Sequence, residues 1–262
     1  MMAFAASRVP APGGELPPAV HDGGARPDRA PCYPVIAALT AAMPQGEAPP
    51  DAARLALGAA RALGRADPVL SVQAAPLRSF DGALYRTGTG AWTILYGDRL
   101  PAPRARFMIA YLLGRQLLGG PGLEFVECAD EALMAMPDDE SAGGLAYAFA
   151  ARLLMPLEAC RRHLPGAVDL DALAALAQRL GLPLPHVARR WLSYTAQRAV
   201  LTLGCDGRPL GTWASETAFG LPAADLAGTH MAWEDGIGIG LSFGPRHGAA
   251  RAGQRRPAAF PR

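Results

Sequence analysis

At 262 residues and a formal net charge of +2, the chain is long enough to bury a sizeable core and has no global basic field of the kind nucleic-acid binders use. Its 30 Gly and 25 Pro well exceed the roughly 12% of an average protein. Much of that excess lies at the two ends, which leaves one folded domain of about 150–200 residues.

Residues 1–33 are rich in Ala, Pro and Gly with few large apolar side chains, so burial there cannot offset the entropy of ordering and a disordered tail is expected. A short segment over 33–42 carries Val35, Ile36 and Leu39 at helical spacing and is expected to dock on the body. Asp51 is a suitable N-cap for a helix running to Gly64, with Leu55, Leu57 and Leu63 as its apolar stripe. Residues 69–72 then read as a strand. The runs 83–86 and 91–96, separated by Thr87-Gly88-Thr89-Gly90, read as a hairpin.

The stretch 104–118 is framed by Pro101 and Pro103 before it and Gly119-Gly120-Pro121 after it, the breakers expected at helix ends. Its near-continuous apolar content predicts a central helix covered on several sides. After it, 125–139 reads as an irregular loop, acidic through Glu127, Asp130, Glu131, Asp138 and Asp139, with Glu140 just beyond. A helix over 144–155 ends at Pro156, and a short one over 157–163 carries Cys160 and His163. Asp169 caps a helix that Gly181 stops, and Pro185 starts another, so the pair is similar to a helix-turn-helix. Residues 200–203 and 210–213 around Asp206-Gly207 form a second expected hairpin. Strict alternation over 236–243 gives one more strand, with Ile237, Ile239, Leu241 and Phe243 on a single face. Residues 245–262 hold five Arg and no acid; a disordered basic tail is expected there, with a weak phosphate contact as the lesser reading.

Two of these blocks carry a resemblance. Arg106-Phe107-Met108-Ile109-Ala110-Tyr111-Leu112-Leu113-Gly114-Arg115 resembles the active-site helix of the ImmA/IrrE-type metallopeptidases, Arg-Phe-x-Ile-Ala-His-Glu-x-Gly-His. Leu145 through Pro156 resembles that family's Glu-Ala-Asn-x-Phe-Ala-x-x-Leu-Leu-Met-Pro. The resemblance, which covers roughly residues 51–194, implies an α+β fold: a zincin-like core over 34–164 with a small antiparallel sheet and a helix-turn-helix-like pair over 165–198; the strand signals above add a β region over 199–244. It also implies where a zinc centre would sit. Two His four residues apart and a neighbouring Glu make such a centre, and here Tyr111, Arg115 and Leu112 stand at those positions, with Leu145 at the third ligand. No metal or other cofactor is therefore expected.

The reading that follows is a catalytically inactive relative that binds a protein or peptide, a repressor among the possible partners, through the former cleft at Tyr111, Arg115, Tyr147 and Glu140. An acidic-loop carboxylate pairing with Arg115 is one further expectation. Two alternatives stand beside it. One is a DNA-binding regulator using residues 169–198, with Arg189, Arg190 and Arg198 as its contacts. The other is a zinc peptidase with relocated ligands drawn from Cys160, His163 and the acidic loop. Cys32, Cys128, Cys160 and Cys205 are widely spaced and read as reduced thiols. With no apolar run long enough to span a bilayer, a cytoplasmic protein is expected.

Overall fold

Caps written into the sequence set the helix ends. In the computed structural model, which describes residues 32–41, 50–120, 122–136, 140–164, 166–219 and 226–244, α1 spans Cys32–Ala41 and α2 spans Ala52–Leu63. The Asp51 carboxylate accepts from the Ala53 and Arg54 amides at 2.9 and 3.2 Å. Gly64 closes α2 at φ 63°, a left-handed conformation that glycine adopts without a Cβ penalty. Cys32, expected in the tail, instead opens α1 and is fully buried. The rest of both expected tails lies outside the described residues.

The first sheet contains β1 (Val69–Ala75), β2 (Gly82–Arg86), β3 (Trp92–Gly97) and β4 (Phe125–Cys128), in the order β1-β3-β2-β4. The expected hairpin is β2 with β3. The sheet is mixed, however, and the antiparallel expectation is corrected. Because β1 sits beside β3 and not beside β2, the up-down-up run of three strands makes β1 and β3 parallel. The stretch 125–139 is also more regular than expected, since β4 pairs antiparallel with β2. Along β4, Val126 and Cys128 face inward while Phe125 and Glu127 face solvent, so the acidic residue falls on the outward phase of a period-two pattern.

Against this sheet lies α3 (Ala102–Leu118). Twelve of its 17 residues are buried, so it runs through the core with protein on nearly every side. It packs most extensively on α5 (Ala142–Leu154). At their crossing a Cβ on Gly114 would lie 3.0 Å from the Ala146 carbonyl and 2.9 Å from Phe149, so the two backbones approach closely because neither helix has bulk there. Between them come β4 and the short α4 (Asp130–Met134). After them come α6 (Leu157–His163), α7 (Leu170–Leu180) and α8 (Leu184–Leu192). Asp169 caps α7 through the Ala172 amide and Gly181 ends it at φ 58°, as the sequence predicts.

The second sheet is antiparallel throughout, in the order β6-β5-β8-β7. Its strands are β5 (Ala199–Cys205), β6 (Arg208–Ala214), β7 (Ala227–Glu234) and β8 (Ile237–Phe243). Both of its hairpins turn on Asp-Gly: Asp206-Gly207 at φ 48° and 76°, Asp235-Gly236 at φ 47° and 84°, the positive-φ pair of a type I′ turn. The second turn brings in β7, which the sequence reading missed. Leu201, Leu203, Ile237, Ile239 and Leu241 face the core, joining it to α8. The fold is α+β, and among the described residues no helix is long and apolar enough to cross a membrane.

Candidate functional site

The four positions that matter sit on α3 and α5, and the structure treats them differently. Tyr111 and Arg115 are one helical turn apart on α3, and Arg115 Nη1 donates to the Tyr111 hydroxyl at 3.3 Å. Tyr111 is 1% exposed, with its hydroxyl directed toward the start of α5 at Gly143. Burial pushes its phenol above the ordinary value, more strongly than the neighbouring Arg115 lowers it. The ring therefore remains a neutral hydrogen-bonding group. Leu112 is fully buried and turns toward the sheet, where a Cβ on Gly82 would meet it at 3.2 Å. Leu145 is half-buried on α5, next to the Ala146 that packs on Gly114.

Cys128, at the end of β4, completes the local cluster. Burial first, then nearby Asp130, pushes its thiol up to about 12, while Arg115 acts in the opposite direction. It is a neutral thiol and not a ready thiolate ligand. Arg115 is only part-buried, and its Nε is buried without a hydrogen-bond partner. Among the described residues no carboxylate pairs with it. An acidic-loop carboxylate does turn inward, but the residue is Asp130 and its cation is Arg104, at 2.9 Å. Asp130 opens α4 directly after β4, so its side chain is aimed back at the first turn of α3, where Arg104 lies. Asp138 and Asp139 lie outside the described residues.

The β4 strand borders this cluster, and its other edge pairs with nothing among the described residues. Phe125 is 53% exposed beside it. An open edge of this kind presents a row of backbone donors and acceptors to an incoming strand. Alternation over four residues was the available signal for β4, and the acidic content of the stretch obscured it.

The other expected site residues are placed elsewhere. Tyr147 is 3% exposed, with its hydroxyl 2.9 Å from His186 Nδ1, so it belongs to the core and not to an accessible cleft. Glu140 is exposed just before α5. Arg189 is buried, donates to the Met134 and Met136 carbonyls at 2.9 and 2.7 Å, and lies between the Tyr147 and Trp213 rings at 4.0 and 4.2 Å. Arg190 donates to the Met155 carbonyl and Ser193. Both arginines are thus consumed in packing, and α8, buried along nearly its whole length, has no free face to enter a groove. Arg198 is part-buried. Cys160 faces inward and His163 outward, so a shared ligand set would need one of them to reverse. Among the described residues no group of three or more His, Cys, Asp or Glu side chains is arranged to hold a metal ion.

Two polar centres, one buried and one half-buried, were not foreseen. His186 is fully buried, stacked on Phe107 with centroids 3.7 Å apart, and burial together with nearby Arg189 holds it neutral, well below its ordinary value. Asp67 accepts from Arg65 twice at 2.8 Å, from Trp92 at 3.2 Å and from Gln116 at 3.0 Å. That lowers its carboxyl to about 2, with Arg65 as the largest cause. Asp67 forms one wall of a cavity of about 180 Å³ that includes Arg86 and the glycines following α3.

Residues 67–192 match the family model described as IrrE N-terminal-like domain, Peptidase_M78. No curated protein matches the chain. The matched segment begins just before β1 and ends with α8, so it takes in the first sheet, α3, α5 and the packed helix pair.

Proposed function

We propose, from the ImmA/IrrE-like domain that residues 67–192 form, that this protein is a catalytically inactive member of that metallopeptidase class, working as a regulatory protein that binds an extended segment of a partner. The observation that carries the reading is the Tyr111–Arg115 pair at the metal-ligand positions, with a buried and unpartnered Nε on Arg115. Zinc hydrolysis needs neutral His or carboxylate ligands and a positioned base. A phenol held neutral, a guanidinium and two leucines supply neither. Arg115 instead leaves a fixed positive charge where a peptidase would carry a metal ion.

Such a charge beside an open strand edge suits a partner that adds to β4 through its backbone and offers a carboxylate to Arg115. Phe125 would cover an apolar side chain of the added segment. The family resemblance favours a repressor or another mobile-element regulator as the source of that segment.

The test has two arms. Protein purified without chelator is expected to hold zinc far below one equivalent and to leave extended peptides uncut; stoichiometric zinc with hydrolysis overturns the reading. Extended peptides carrying one acidic residue are expected to bind wild type and to lose binding in Arg115→Ala. Equal binding by both proteins removes Arg115 from the site.

A further inference from the structure

Two arginines from opposite sides of Trp92 line one cavity. Trp92 opens β3, and its register partners are Val69 on β1 and Arg86 on β2. Asp67, just before β1, and Arg86 therefore flank it, with backbones about two strand spacings or roughly 10 Å apart. Arg86 lies over the indole ring at 5.8 Å. Arg65, just past the end of α2, is fixed on Asp67 by two hydrogen bonds of 2.8 Å. Gln116, Leu123, Gly119, Gly120 and Gly122 complete the walls. A Cβ on Gly119 would strike the Arg115 carbonyl, and Gly122 has φ 93°, so the chain after α3 passes the cavity as bare backbone.

The walls hold more donors than acceptors. Asp67 is the one anionic side chain among them, and it already accepts four hydrogen bonds, the capacity of a carboxylate. A guanidinium has five N–H donors. Arg65 directs two at Asp67 and one, at 3.4 Å, at the Leu117 carbonyl. Arg86 directs one at the Gly90 carbonyl and one at Glu124. Two donors on Arg65 and three on Arg86 are left without an acceptor among the described residues. Glu124 is not a wall of the cavity, and its side chain is 66% exposed, so its pairing with Arg86 is a weak surface one. Two guanidinium groups and one carboxylate give the lining a formal charge of +1, which exceeds the roughly half negative charge at the C-terminus of α3.

We propose that this cavity binds a phosphate group between Arg65 and Arg86, beside the Trp92 ring. A tetrahedral phosphate offers oxygens to both guanidinium groups at once, whereas a planar carboxylate fits a single fork. The cavity of about 180 Å³ equals the liquid volume of roughly six waters, which admits the phosphate with a short substituent. Binding displaces the Glu124 carboxylate from Arg86. Neither Tyr111 nor Arg115 lines the cavity, so this site stands or falls separately from partner binding at β4.

The test titrates inorganic phosphate into the full chain at constant ionic strength and follows the Trp92 indole N–H resonance, identified by its loss in Trp92→Phe. A saturable shift at roughly millimolar phosphate is expected. The Arg86 side chain is 40% exposed, so Arg86→Gln should fold, and it is expected to weaken binding about tenfold or more. Glu124→Gln removes the competing carboxylate and is expected to tighten binding about threefold. Misfolding cannot produce both changes. Tighter binding of glycerol phosphate than of inorganic phosphate assigns the site to a phosphorylated small molecule; the reverse order assigns it to the free ion. Acetate that binds as tightly as phosphate overturns the proposal, as does a shift that fails to saturate by tens of millimolar on the order set by such affinities. Arg86→Gln that binds like wild type, or Glu124→Gln that binds more weakly, also overturns it.

Discussion

Asp130→Asn isolates the cost of a buried carboxylate. Asp130 and Arg104 have side chains only 6% and 11% exposed, and the Asp130 amide also donates to Asp81 Oδ2 at 2.9 Å. Burial pushes the Asp130 carboxyl up to about 6, more than Arg104 can lower it, and Asp81 adds to the rise. A carboxyl raised in the fold favours folding most below its unfolded value of about 3.9, and that contribution is lost as pH rises through about 6. Working through the linkage, ionisation inside the fold costs on the order of 1 kcal/mol at pH 5 and about 3 kcal/mol at pH 7. Asparagine keeps the volume and can still accept from Arg104 but does not titrate. Wild type should therefore lose on the order of 1 kcal/mol against Asp130→Asn between pH 5 and 7, measured by urea unfolding of both proteins. His186 titrates in each and cancels in the difference. A difference that stays flat across that range refutes the argument.

Gly114→Ala forces a methyl to about 3 Å from the α5 backbone, and about 1–3 kcal/mol of destabilisation should appear in its melting transition. His186 is held neutral, so stability is present above about 6.5 and is lost as pH falls through that value; His186→Phe should remove that acid-side slope in pH-dependent unfolding. The Asp67 carboxyl, lowered to about 2, contributes stability above about 3.9 that is lost as pH falls towards 2. Its side chain is 25% exposed, so solvent screening leaves about 1 kcal/mol for Asp67→Asn to remove at neutral pH. Arg115→Ala breaks no ion pair among the described residues and should change unfolding free energy by about 0.5 kcal/mol or less.

The helices were legible because their signals are local. Asp51, Gly64, Asp169 and Gly181 fix helix ends within a few residues of themselves, and near-continuous apolar content marks α3 as central before any neighbour is known. Short motifs likewise located Tyr111 and Arg115, since a four-residue spacing on a helix puts two side chains on one face. Strands were harder. β4 offers four residues to a period-two reading, and β7 had only the Asp235-Gly236 turn to announce it. The parallel pairing of β1 with β3 depends on which strand lies beside which, and no local feature encodes that order.

The buried polar partners belong to the tertiary structure. Arg104 and Asp130 are 26 residues apart, and Tyr147 and His186 are 39 apart. Arg189 and Arg190 read as free cations in sequence, because a guanidinium looks the same whether it faces water or aromatic rings. The sequence by itself determined the helix ends, the α+β class and the placing of Tyr111 and Arg115 on one helix face, all through contacts made within a turn or two of chain. The folded chain decided which charges are buried, which strand edges stay open and which arginines share a cavity, because burial and pairing are set by residues that meet only once the chain has closed on itself.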